Sequence, residues 1–262
     1  LYLCVYLDVI REHSRAKIVL RPQNVEYAVW QKYRGGVSNP LKRFFLGHAL
    51  KRLEKFEKAT ANSVDGIMAI SPYDAALFRS MIKNIPVSAV PIGFDEKLPD
   101  KYALQLQYKN FPSVYHLGSM DWWPNQQGIE WFVQEILPLI QKIMPQLPVH
   151  LAGKKMPARF FRTSFPNLHV QGLIDDSTKF QEHKSILMVP LLSGGGIRAK
   201  IIEAMFLGKT IITTSIGLRG IGCEHGRHVL VADTPAQFAD AITKAASSIE
   251  LCKKLGREAR NF

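Results

Sequence analysis

Short β-branched or apolar runs recur along the chain at residues 17–20, 65–70, 87–91, 113–117, 148–152, 185–190, 210–214 and 228–232. Stretches with helical apolar spacing, or clusters of turn residues, separate them. This alternation predicts βα units and a mostly parallel sheet. Runs such as "KIVL" and "ILMVPLL" lack polar alternation, as expected of strands covered by helices on both faces. Between Gly93 and Pro112 the pattern lapses into charges and prolines without a period. The segment 96–110 is therefore expected to be a linker between a first block, 1–95, and a second, 111–262. The second block has about the strand content of a complete doubly wound domain. The first opens on a helical stretch with Leu3, Tyr6, Leu7 and Ile10 on one face and offers only two or three strands. It is expected to be an incomplete domain, and the chain a fragment.

At 262 residues and 47% hydrophobic content the chain can build one large core or two ordinary ones. No apolar run approaches the ~20 residues that span a bilayer, and the N-terminal residues do not read as a secretion signal. The expectation is a cytoplasmic protein. Cys4, Cys223 and Cys252 are few, odd in number and far apart, a pattern of reduced, buried thiols and not of disulfides or zinc. The eight histidines show no metal-ligand spacing, so no metal is expected. The formal charge of +12 favours a polyanionic partner. Nucleic acid, anionic lipid and a phosphorylated small molecule all fit that description.

Candidate chemistry centres on "LLSGGGIRAKIIEAMFLGKTIITTS", residues 191–215. Placed after a buried strand, the loop of Ser193, Gly194, Gly195 and Gly196 falls at the C-terminal end of a sheet strand, where ligands of open α/β sheets bind. A helix predicted over 197–207, with Gly208 as its stop, turns its free N–H groups and positive dipole end to the same spot. Arg198 and Lys200 add cationic charge for a phosphate. Glu203, about two turns into that helix, can accept the two hydroxyls of a ribose. The loop is neither a P-loop nor a dinucleotide fingerprint, and a tight turn remains the alternative reading of the glycines.

The stretch "GGGIRAKIIEAMFLGKTIITTSIGLRGI" resembles the donor-binding segment of glycosyltransferase family 4, the retaining enzymes of GT-B fold. Further segments match in the same order: "NVEYAVWQKY", "AISPYDA", "VPIGFD", "HLGSMDWWPNQQGIEWFVQEILP", "VHLAGKK", "VQGLIDD" and "HVLVADTPAQFADAI". The resemblance implies two Rossmann-like domains with parallel sheets, an acceptor side in 1–95 that lacks its opening strands, and a nucleotide-sugar donor domain in 111–262. It implies a retaining hexosyltransferase acting on a glycan or a lipid-linked sugar, with the donor as substrate and no further cofactor.

Carried over residue by residue, Glu203 matches the second Glu of the family's Glu, seven residues, Glu motif and would hold the ribose. The first Glu falls at Gly195, so the sugar would meet the main chain of Gly194, Gly195, Gly196 and Ile197 instead. Many members carry an Arg and a Lys in the segment where this chain has Gly118, Ser119 and Asn125 or Gln127. Arg198 and Lys200 would then supply most of the charge for the diphosphate. Gly172, Leu173 and Ile174 match a segment near the nucleobase.

Trp122 and Trp123 read as helix packing or, less commonly, as a stacking platform. Asn125 reads as a helix N-cap or a ligand contact, Ser71 as the cap of the helix after it, and His116 as a core residue or one facing the cleft. Residues 41–58 form a basic amphipathic helix with Leu41, Phe45, Ala49, Leu53 and Phe56 on one stripe. That stripe is expected to pack on its own domain; the alternative is peripheral contact with the anionic inner face of a membrane. Two other functions stay open: a nucleotide-sugar 2-epimerase of the same fold, and a basic nucleic-acid-binding module. The second is disfavoured because aromatic and basic residues are not interleaved in a nucleic-acid motif, so nucleic acid is not expected as a partner.

Overall fold

The computed structural model describes residues 2–93, 107–163 and 165–262. Most of the expected linker, 96–106, lies outside the described residues. The chain forms two compact units. One comprises Leu1–Gly93 and Ser193–Ile197, the other Phe94–Leu192 and Arg198–Phe262.

The first unit carries three parallel strands in the order β1-β2-β3, β1 being Val19–Leu20, β2 Gly66–Ala69 and β3 Val87–Ala89. Around them lie α1 (Leu7–His13), α2 (Glu26–Gly35), α3 (Pro40–Asn62) and α4 (Pro72–Met81). Ala61, Val64, Ile67, Ala75 and Phe78 form its core. Ser71 does cap α4, its Oγ accepting the Asp74 N–H at 3.0 Å. The opening stretch departs from expectation. It begins as a 3-10 turn, and of its four apolar residues only Leu7 is buried.

The apolar stripe expected to bury α3 does not pack. Leu41, Phe44 and Phe45 are 66%, 64% and 63% exposed, and the buried residues of the helix are Glu57, Thr60 and Ala61. Glu57 explains the difference. Its carboxylate accepts the Glu26 and Tyr27 N–H groups at 2.8 and 3.0 Å, which anchors the end of α3 at the N-terminus of α2, where the helix has orphan donors and a positive dipole end.

The second unit has a six-stranded parallel sheet in the order β6-β5-β4-β7-β8-β9. The strands are β4 Val114–Leu117, β5 Val149–Ala152, β6 Leu168–Gly172, β7 Ile186–Val189, β8 Thr210–Thr213 and β9 Leu230–Val231. Neighbouring residues of one strand feed opposite cores. Val114, Ile186 and Ile212 enter a cluster with Phe132 and Phe238, while Tyr115, Leu187 and Ile211 enter one with Ile201 and Ala204. Both faces are apolar because α5 (Trp123–Trp131), α6 (Leu137–Ile143), α10 (Pro235–Ala246) and α11 (Ile249–Asn261) cover one, and α7 (Ser177–Glu182) and α8 (Ala199–Phe206) the other. A short helix, α9 (Ser215–Leu218), follows β8.

The strand β6 is absent from the apolar runs, since it pairs with β5 alone at the sheet edge and alternates in burial. Of the cysteines, all free, only Cys252 is buried; Cys4 and Cys223 are half-buried, against expectation.

Glu57→Ala leaves two partly buried N–H groups at the start of α2 without their acceptor, which should destabilise the first unit by about 2 kcal/mol. Hydrogen exchange checks this: β2 amides should exchange roughly 30-fold faster than in the unaltered chain, and unchanged rates would refute the anchor.

Candidate functional site

The strand order of the second unit reverses direction between β4 and β7. Counted within that unit it is 3-2-1-4-5-6, and β4 and β7 are the neighbours whose connections leave to opposite sides. The crevice beyond their C-terminal ends is the ligand position of such sheets. The β4–β7 ladder pairs Val114 with Ile186 and Tyr115 with Leu187. One residue further on, the buried His116 places Nδ1 3.1 Å from the Met188 carbonyl.

Past β4 the chain turns at Gly118, whose N–H donates to Ala152 O at 3.1 Å. A Cβ at Gly118 would overlap Lys200 Nζ, and one at Gly153 would overlap the Gly118 carbonyl. The two glycines let the β4 and β5 turns close on the lysine. Lys200 Nζ lies 3.2 Å from Asn125 Oδ1 and 3.5 Å from His116 Nε2. Asn125 is oriented by its Nδ2, which donates to the Ser119 carbonyl at 2.7 Å. It caps nothing: Trp122 is the N-cap residue of α5. Ser119 Oγ is bonded to Asp121.

The ammonium of Lys200 has no carboxylate in ion-pair range among the described residues. Burial, and after it the charge of Arg198, lower its pKa to about 7. Arg198 lies inward and not out in solvent. It is 4% exposed, with its guanidinium carbon 5.7 Å from the Trp122 ring centroid. Trp122 itself packs against the core on the α8 side of the sheet.

The helix α8 starts at Ala199, two residues later than predicted, because Arg198 has extended backbone. Glu203 therefore stands little more than one turn in. Gly208 does end the helix with φ of +62°, its N–H donating to Met205 O at 2.9 Å. Glu203 Oε1 accepts from Gln181 Nε2 at 3.3 Å, and Gln181 Oε1 accepts the Tyr115 hydroxyl at 3.1 Å. The sequence reading missed Gln181, since a glutamine in "STKFQEHKS" gives no sign of burial.

Gly172 has φ of +68° and a carbonyl that accepts the Gly153 N–H at 2.7 Å, while Leu173 is 73% exposed and Ile174 half-buried. Gly194, Gly195, Gly196 and Ile197 belong to the first unit. There a Cβ on Gly195 would crowd Val29 Cγ2 at 2.6 Å, so the family's Glu at that position would require the Val29 side chain to shift. Among the described residues, no group of three or more His, Cys, Asp or Glu is placed to hold a metal ion. None of their helices is long and apolar enough to cross a membrane.

Comparison with known proteins bears on the family and the fold. A family model described as glycosyl transferases group 1 matches residues 111–248. An uncharacterized 44.6 kDa protein in the cps region of Klebsiella pneumoniae is 24% identical over 159 residues, 57% of this chain and 41% of that protein. The structure of a sucrose-phosphate synthase from Thermosynechococcus elongatus aligns with a TM-score of 0.72 and 18% identity over 98% of this chain and 65% of its own. Anabaena Alr3699/HepE in complex with UDP-glucose aligns with a TM-score of 0.73 and 14% identity over 99% of this chain and 71% of its own. The chain thus spans less than half of the Klebsiella relative's length.

The pKa of Lys200 dictates a stability effect. In the unfolded chain it binds its proton up to its ordinary pKa of 10.5, in the folded chain only up to about 7. Its burial therefore costs stability most below pH 7, and the cost fades as pH rises toward 10.5. Lys200→Met should stabilise the protein by roughly 1 to 3 kcal/mol in mildly acidic buffer and progressively less toward alkaline pH. Denaturation midpoints at several pH values measure this, and a variant less stable than its parent at all of them would contradict it.

Proposed function

The chain belongs to the glycosyl transferases of group 1, and from that membership we propose that it transfers a sugar from a nucleotide-sugar donor to an acceptor hydroxyl with retention of configuration. The observation that carries the proposal is the Lys200 ammonium, held at the sheet's reversal point by Asn125 and His116 with no carboxylate in ion-pair range among the described residues. A leaving diphosphate supplies the missing charge. In this reading Lys200 and Arg198 stabilise the diphosphate as the anomeric bond breaks, through an oxocarbenium-like transition state. The acceptor hydroxyl attacks on the face the diphosphate leaves. Glu203, on the same helix as Lys200, binds the ribose, with Gly172 to Ile174 beside the base and the main chain of Gly194 to Ile197 beside the sugar. The two cationic groups meet the charge of the leaving group, so the proposed reaction uses no metal or further cofactor.

Structures of HepE hold UDP and UDP-glucose, which supports testing uridine donors first. The acceptor is proposed to be a carbohydrate or lipid-linked sugar. Support for a lipid-linked one comes from α3, where exposed Leu41, Phe44 and Phe45 stand among exposed Lys42, Arg43, Lys51 and Arg52. Apolar side chains flanked by cations suit the surface of an anionic membrane, on its cytoplasmic side.

A thermal-shift screen against UDP-, GDP- and ADP-sugars tests the donor reading, since a ligand of the folded state alone raises the melting temperature. Lys200→Ala should weaken diphosphate binding by about 1.5 to 3 kcal/mol and leave nucleoside binding nearly unchanged, whereas Glu203→Gln should weaken both. Equal losses for nucleoside and diphosphate in Lys200→Ala would remove its assigned role. For the membrane reading, vesicle binding should rise with anionic lipid, fall with salt, and drop when Lys42, Arg43, Lys51 and Arg52 are neutralised. Indifference to lipid charge would argue against it.

A further inference from the structure

The candidate site contains a histidine that makes and breaks no bond in the proposed reaction. His116 closes β4 with its ring fully inside the protein. Met188 O, 3.1 Å from Nδ1, can only accept, so Nδ1 carries the proton and the lone pair of the neutral ring is on Nε2. Burial above all, and then the charge of Lys200, push the imidazole pKa well below its ordinary value, against the opposing effect of the Met188 bond. The ring is therefore neutral, with one fixed tautomer, and its lone pair faces Lys200 Nζ at 3.5 Å.

The second acceptor at Nζ is equally fixed. The Asn125 amide cannot turn over without losing its bond to the Ser119 carbonyl, so Oδ1 stays toward the lysine. Around Nζ the charged and titratable groups are thus Arg198, preceding α8, and His116 from β4, while α5 contributes the uncharged Asn125. Two neutral acceptors fix the position of the nitrogen, and nothing among them compensates its charge. An ammonium has three N–H donors, and these acceptors engage two.

Resting on the reading of Lys200 as a diphosphate group, we propose that His116 is a positioning residue that aims Lys200 into the crevice, and that a nucleotide sugar binds there together with one proton from solvent. The lone pair of the Lys200 amine takes the proton and becomes the ammonium's third donor; no other bond forms or breaks. In slightly alkaline buffer the free site is mostly the neutral amine, since the pKa of Lys200 lies near 7. A bound diphosphate restores the favoured charge. The imidazole accepts from Nζ in both states, which keeps the nitrogen in place as its charge changes.

Calorimetry on the unaltered chain tests this with UDP-glucose, GDP-mannose and ADP-glucose as probes. Nucleotide sugars have no group titrating near neutrality, so any proton counted belongs to the protein. At about pH 8, binding heats in buffers of different ionisation enthalpy should report uptake approaching one proton per site, and affinity should fall up to tenfold per unit of pH above that. Heats independent of the buffer would overturn the proton linkage while leaving the donor reading intact. Failure of every probe to bind would overturn the donor reading and this inference with it.

His116→Phe keeps the ring and removes the acceptor. It should bind the nucleotide sugar about tenfold more weakly, with nucleoside affinity unchanged, and His116→Gln, which restores an acceptor near Nε2, should regain most of the loss. Parental affinity in a folded His116→Phe protein would refute the positioning role. If that variant does not fold, His116→Leu, which also lacks the acceptor, decides the same point: weaker nucleotide-sugar binding with unchanged nucleoside affinity supports the role, and parental affinity refutes it.

Discussion

The site depends on the separation of two neighbouring parallel strands. β4 and β7 lie side by side in one sheet, and because their connections leave to opposite sides, the loops that follow them part and open a crevice. His116 bridges the opening with its bond to Met188 O. Close approaches then build the walls. A Cβ at Gly128 would overlap the Pro190 carbonyl, so α5 rests on the chain beyond β7 only because the residue there is glycine. Gly118 and Gly153 do the same for the turns beyond β4 and β5. Gly128 and Gly153 serve backbone contact, and the space left at Gly118 receives the end of Lys200.

Two lysines of the second unit, Lys209 fully buried and Lys200 partly so, show how enclosure has different consequences. Burial is the main cause that lowers the pKa of each to about 7. Lys209 donates to the Gln181 and Lys184 carbonyls at 2.9 and 2.7 Å, at the C-terminal end of α7, where the helix dipole favours a cation. Its contacts tie α7 to β8 and hold the backbone of the glutamine that bonds Glu203. Lys200 has side-chain acceptors that are neutral, Asn125 Oδ1 and His116 Nε2, and in the proposed reading its charge is met by the donor's diphosphate.

The first unit answers to a different constraint. Its long basic helix is fixed at one end by the buried Glu57, and apolar residues nearer the other end stay in solvent. The periodicity that predicted a packed stripe was real, but amphipathic spacing does not specify which surface receives the apolar side. In α3 the packing contacts come from its last turns. The unsatisfied N–H groups of α2 select that end.

By itself the sequence determined the alternation of strands and helices, the doubly wound character of the second block, the glycine stop after α8 and the residues Lys200, Asn125 and Glu203 as candidates. Each of these is written locally, in apolar runs, in a glycine that adopts positive φ, or in a motif of fixed spacing. Only the tertiary structure decided that Asn125 bonds Lys200 and caps no helix, that Arg198 lies buried against Trp122, that His116 is a neutral acceptor, and that Gln181 supports Glu203. These contacts join residues 22 to 84 positions apart, and they arise where strands from distant parts of the chain end side by side. Whether a polar side chain is a ligand group, a cap or a support depends on which neighbour that meeting supplies, and no local pattern in the chain encodes the neighbour.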